Sequence, residues 1–161
     1  MNTLTDIMIR KATPGEALAI SSLLYNSFLD YRSFYTQKAF EASTPDIQKV
    51  KERIERKNVW VAICDEKIVG TVSGVSLGRD FYIRSIAVDP NFRGTGVAKE
   101  LMSKMETIAQ KNKCKDLKLT SASFLIPAMN LYKSLGFIEA GYKNVHGTTL
   151  IKMIKPLENN F

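Results

Sequence analysis

A chain of 161 residues, 45% hydrophobic and 24% charged, holds enough apolar material for a single domain (1–161) without disulfides. A net charge of +7 and a pI near 9.4 would attract polyanions, but Lys and Arg are dispersed and no basic run is interleaved with aromatics, so no nucleic-acid partner is expected. One histidine and two distant cysteines, Cys64 and Cys114, leave a metal site and a redox dithiol unsupported.

Residues 6–12 alternate apolar and polar and read as a strand. Thr13-Pro14-Gly15-Glu16 is a helix start, with Thr13 as N-cap and Glu16 placed to bond back to it, and the helix is expected to reach about Phe28. The aromatic stretch that follows resists placement, and Phe28, Tyr31, Phe34, Tyr35 and Phe40 are read as core more than as a pocket lining. A second helix opens at Thr44-Pro45 with Ile47, Val50 and Ile54 on one face, and its charged run at 49–57 reads as solvated. Residues 58–77 form two strands joined by a tight turn at Asp65-Glu66-Lys67, and 81–88 form a third. Next come Arg93-Gly94-Thr95-Gly96 and a helix whose stripe is Val97, Leu101, Met105 and Ile108. A strand at 116–122 and a short helix at 127–135 stopped by Gly136 lead to two last strands, which meet in a hairpin at His146-Gly147. The two cysteines read as reduced packing residues, and His146 as a turn residue. No apolar run is long enough to span a bilayer and no signal peptide is visible, so a cytoplasmic protein with no membrane partner is expected.

The glycine loop carries the chemistry. N–H groups in the first turn of a helix have no intrahelical partner, and the helix dipole adds partial positive charge there. Gly94 and Gly96 remove side chains from the approach, Thr95 offers a hydroxyl, and Arg93 adds a full charge. The result is a candidate pyrophosphate cradle. It is not a Walker loop, and Lys99 occupies the third glycine of a dinucleotide fingerprint.

Two blocks of the sequence resemble the GNAT superfamily of N-acetyltransferases. The first is Ile86-Ala87-Val88-Asp89-Pro90 followed by Arg93, Gly96 and Ala98, and the second is Ala128, Leu131, Tyr132, Gly136 and Phe137. The resemblance implies an α/β fold: a mixed, mostly antiparallel sheet of about seven strands, splayed in the middle, with about four helices on its faces. It implies acetyl-CoA as cosubstrate and no metal. Ile86, Ala87 and Val88 would meet the pantetheine arm, and Arg93, Gly94, Thr95, Gly96, Val97 and Ala98 the pyrophosphate. The acceptor, a primary amine of a small molecule or peptide, would attack the thioester directly. Tyr132 would be the general acid to the departing thiolate, and a backbone N–H near Val88 the oxyanion donor. Acceptor loops are expected at 28–43 and 76–82.

Two positions depart from the family pattern. No carboxylate lies between Asp80 and Asp89 to act as base, and Asp80 itself reads as a turn residue. Leu125 stands where relatives commonly carry a cofactor-contacting Asn, with Ser123 as a candidate replacement. The alternative function is a CoA-binding sensor or partner module with little turnover, and the resemblance leaves a homodimer open. Gly96→Glu is expected to abolish CoA binding in a folded protein.

Overall fold

The computed structural model describes residues 6–158. Strands β1 (Met8–Lys11), β2 (Val59–Cys64), β3 (Lys67–Leu77), β4 (Asp80–Val88), β5 (Asp116–Ser121), β6 (Ile138–Val145) and β7 (Thr148–Pro156) build one sheet in the order β1-β2-β3-β4-β5-β7-β6. All neighbours are antiparallel except β4 and β5.

Helices α1 (Ala17–Leu29) and α3 (Ile47–Glu55) bury Ile20, Leu24, Val50 and Ile54 against Val59, Val61 and Ala87 on one face of the sheet. On the other, α4 (Val97–Lys111) and α5 (Ile126–Ser134) pack on Trp60, Ala62, Phe81, Ile83, Leu117, Leu119, Ile151 and Met153. The expected α4 stripe is the one used, with Val97, Leu101 and Met105 buried and Ile108 half-buried. The helix sits close to β3 because Gly70 and Gly74 lie beneath it: a Cβ on Gly74 would come within 2.7 Å of the Met105 sulfur. Cys64 and Cys114 are buried in this same core and form no disulfide.

Sequence and structure differ at the element ends. Residues 14–16 form a 3-10 turn before α1 begins at Ala17, while the cap itself is present: the Glu16 carboxylate accepts from the Thr13 N–H at 2.8 Å. The second predicted helix starts at Ile47, because Asp46 accepts from the Lys49 N–H and Thr44-Pro45 lies outside it. The unplaced aromatic stretch contains a fifth helix, α2 (Gln37–Ser43), capped by Thr36 through the Ala39 N–H. His146 and Gly147 make the two-residue β6–β7 turn, both with positive φ. Among the described residues no helix is long and apolar enough to cross a membrane.

Candidate functional site

Parallel pairing of β4 with β5 covers only Asp80–Asp116, Phe81–Leu117 and Tyr82–Lys118. Beyond Tyr82 and Lys118 the two strands part, and each keeps its other neighbour, β3 or β7. The sheet is therefore splayed in the middle, as the resemblance implied.

The open side of β4 follows from its ladder with β3. Backbone groups along an antiparallel strand point alternately towards and away from the partner. The Asp89 N–H donates to the Val69 carbonyl at 2.8 Å, and Ala87 is registered with Thr71. The N–H and C=O of Ile86 and Val88 thus face the gap. A bulge at Ser85–Ile86 sets this phase: Ser73 pairs with Arg84 but Thr71 pairs with Ala87, and Ser85 takes φ +55°.

Asp89 ends the strand, with its carboxylate accepting from the Asn91 N–H at 2.9 Å and pairing with Lys67 at 3.4 Å. A 3-10 turn over Pro90–Phe92 leads into the glycine loop. Gly94 and Gly96 have φ of +73° and +91°, and a Cβ on either would meet no protein atom within 4 Å. The glycines answer a backbone demand and leave the α4 N-terminus open. Val97 is buried beneath the loop, Ala98 is half-buried, and Arg93 is exposed and makes no ion pair among the described residues. The Thr95 hydroxyl donates to the Phe92 carbonyl, so its proton tightens the loop and is not turned outward. This corrects the expectation of a free hydroxyl donor. Gly96→Glu is corrected too, since any side chain at φ +91° strains the backbone and would confound a binding test.

The helix that follows β5, α5, carries Tyr132. Gly136 takes φ +98°, which lets the Phe137 N–H reach back to the Tyr132 carbonyl at 3.0 Å and stacks Phe137 edge-on to Tyr132, centroids 5.9 Å apart. The phenol is buried at 5% exposure. Burial, with a smaller contribution from Tyr35, pushes its pKa well above that of an ordinary phenol, so it keeps its proton at physiological pH.

Tyr35 belongs to an aromatic group around Phe124, just beyond β5. Their rings meet edge-on at 4.8 Å, Phe34 stacks on Phe124 at 5.2 Å, and Tyr31 lies 6.3 Å away. The core assignment holds for Phe40 (3% exposed) and fails for Phe34 (60% exposed). Thr36 pins this segment to the β6–β7 turn: its hydroxyl donates to the His146 carbonyl at 2.6 Å, and its N–H donates to the Thr148 hydroxyl at 2.9 Å.

The second expected acceptor loop, 76–82, lies at the paired end of β4 and β5. Asp80 pairs with Lys118 at 2.9 Å there. Leu125 caps α5 and Ser123 is exposed. Sequence reasoning passed over Ser121: at the end of β5 its buried hydroxyl has no hydrogen-bond partner among the described residues. It passed over Arg53 as well, which reaches from α3 to donate to the Ser85 hydroxyl at 2.9 Å. A shallow hollow of about 750 Å³ between α1 and the β2–β3 hairpin touches this region only through Asp89 and Pro90.

A splayed sheet with a helix N-terminus at its mouth is the GNAT fold. The PaiA N-acetyltransferase of Thermoplasma acidophilum, solved in complex with coenzyme A, superposes with a TM-score of 0.81 at 16% identity, covering 95% of this chain and 100% of that one. A GNAT-family acetyltransferase from Staphylococcus aureus gives 0.78 at 16% identity, with the same coverage. The model of the acetyltransferase (GNAT) family matches residues 22–137, and the chain belongs to that family. Among curated proteins, N-acetylaspartate synthetase of Xenopus tropicalis is 28% identical over 141 residues, covering 81% of this chain and 52% of its own length. Human N-acetyltransferase 8B is 31% identical over 93 residues, covering 54% and 41%. The chain thus spans about half the length of the curated relatives it matches.

Proposed function

We propose that residues 1–161 form an acetyl-CoA-dependent N-acetyltransferase domain whose acceptor is a primary amine. The observation that carries this reading is the gap between β4 and β5, with backbone polar groups along one wall and an open helix N-terminus at its mouth. Both features fit acetyl-CoA. The N–H groups at 94–98 and the Arg93 guanidinium would hold the pyrophosphate. Ile86 and Val88 would pair with the pantetheine amides, with Ala87 between them, and the orphaned Ser121 hydroxyl would supply a contact from the β5 side.

When bound, acetyl-CoA supplies an activated acyl carbon. The amine nitrogen bonds to that carbon as the C–S bond breaks, the nitrogen gives up a proton to solvent, and the sulfur gains one. The Val88 N–H stabilises charge developing on the carbonyl oxygen. Tyr132 meets the departing sulfur. A thiol has a pKa near 8.5 and this phenol a much higher one, so Tyr132 acts first as a hydrogen-bond donor to the thiolate. The names of the relatives support an amine acceptor, and the two buried cysteines suit a reducing, cytoplasmic setting. The rival reading, a CoA-binding module without turnover, draws on the lack of a carboxylate on β4.

The test is calorimetric titration of acetyl-CoA, with free adenine nucleotide as control, followed by thiol release with an amine panel. Tight, saturable binding with amine-dependent release is the expected result. Binding without release would favour the sensor module, and no binding would remove both readings.

A further inference from the structure

Arg53, Arg56 and Arg84 converge beside the bulge of β4. Arg53 and Arg56 come from the end of α3, and Arg53 donates through Nη1 to the Ser85 hydroxyl. Arg84 neighbours Ser85 on β4; Ile83 is turned into the α4 side of the core, so alternation sends Arg84 to the α1–α3 side, where Ala87 also lies beyond the bulge. Among the described residues none of the three makes an ion pair. Among the described residues the buried Arg53 Nε has no hydrogen-bond partner. Burial, together with the charge of Arg84, pushes Arg53 down to about 10, and Arg84 is lowered by burial and by Arg56.

Such a cluster is costly by itself. Three cations lie near one another with no anion among them, Arg53 half-buried and Arg84 and Arg56 exposed, and Arg53 keeps an unused buried donor there. A bidentate anion would relieve both costs, and guanidinium geometry matches a carboxylate. The corner also adjoins the stretch of β4 that borders the gap. Ile86, whose backbone faces the gap, is two residues from Arg84 and adjoins Ser85. The phosphate cradle begins only at Arg93, beyond the end of the strand and the 3-10 turn.

We propose that Arg53, Arg84 and Arg56 form a carboxylate subsite for the acceptor, so that the substrate is an amino acid or a closely similar amine bearing a carboxylate. This rests on the acetyltransferase reading and names its substrate class. The subsite holds the carboxylate on the α3 side of β4 and presents the amine towards the gap. It also accounts for the missing strand carboxylate, which would have repelled such a substrate.

The experiment compares L-amino acids with their α-carboxamides as acceptors, following thiol release for the natural protein, Arg84→Gln and Arg53→Gln. The acids are expected to exceed their carboxamides in kcat/KM by at least about tenfold, the scale of one charge-assisted hydrogen bond. In both variants that ratio should fall towards one while acetyl-CoA affinity stays unchanged. Equal use of acids and carboxamides by the natural protein would overturn the proposal. So would variants that keep the preference, or that lose acetyl-CoA affinity, which would give the arginines to the cofactor. A second measurement needs no turnover: calorimetry of N-acetyl-L-amino acids and their amides in the presence of CoA. Acid-selective binding that Arg84→Gln removes would uphold the subsite even if no acceptor were acetylated, in which case only the acetyltransferase reading would fall. Binding without acid selectivity would sink the subsite.

Discussion

Single side chains divide the chemistry from its scaffold. Tyr132→Phe removes one hydroxyl and keeps the ring against Phe137. Turnover should fall by about 10²-fold or more, with acetyl-CoA affinity nearly unchanged, as steady-state kinetics and calorimetry can check. At the loop, Ala98→Glu is a cleaner probe than any glycine change, because Ala98 has helical backbone and a carboxylate in the first turn favours the helix. It should weaken acetyl-CoA binding at least tenfold while leaving the melting temperature unchanged or raised. Glu16 illustrates a structural charge. Its two oxygens take Arg10 at 2.9 and 2.8 Å, and that hydrogen bonding holds its pKa at about 2. A depressed carboxylate contributes stability above its unfolded pKa of 4.5 and loses it as pH falls towards 2. Urea midpoints measured between pH 5 and pH 2.5 should therefore fall less steeply in Glu16→Gln than in the natural protein.

At the level of elements, what could be read in the sequence depended on periodicity and caps. The α4 stripe, the Thr13–Glu16 cap, the Gly136 stop and the His146-Gly147 turn each have a residue-level signature, and each is present. Helix α2 has none beyond its Thr36 cap, since seven residues bury only Ala39 and Phe40 and show no repeating stripe. The bulge was illegible because Ser85, not glycine, takes the positive φ. The arginine corner was illegible because its members lie about 30 residues apart in sequence, and within α3 Arg53 resembles its solvated neighbours. The splay came from family resemblance alone; nothing in the pattern of β4 or β5 announces it. The α5 cap joins fold to site, because one motif ends the helix and fixes the Tyr132 ring. Gly136→Ala should therefore destabilise the protein by about 1–2 kcal/mol, through backbone strain at φ +98° and contact with the Lys155 stem, and should also lower turnover. Denaturant melts and kinetics on the same sample would separate the two effects.

Over the whole molecule, the parting of β4 from β5 divides the sheet into halves of four and three strands joined by three residue pairs. Binding in that gap should stabilise the native state by about 2.7 kcal/mol at a hundredfold excess over Kd. It should also slow amide exchange most at Ile86, Val88 and Thr120, and least in the β6–β7 hairpin. Exchange mass spectrometry with and without acetyl-CoA would show this, and uniform protection would count against a ligand seated between the strands.

An open sheet ordinarily has two free edges, and each is a template for another chain. Here β1 is short and basic, and β6 is bent by a bulge near Gly141 and carries Glu139 and Lys143. Both outer edges thus bear the usual guards against stacking. The inner pair bears none, because Ile86 and Val88 turn the polar backbone groups of β4 towards any extended segment that enters the gap. If the gap holds acetyl-CoA as proposed, selection for that groove and selection against self-association act on the same few amides. On the proposed reading, bound acetyl-CoA would cover that strand, and the protein should stay clear of turbidity longer on warming when stored with acetyl-CoA than without it.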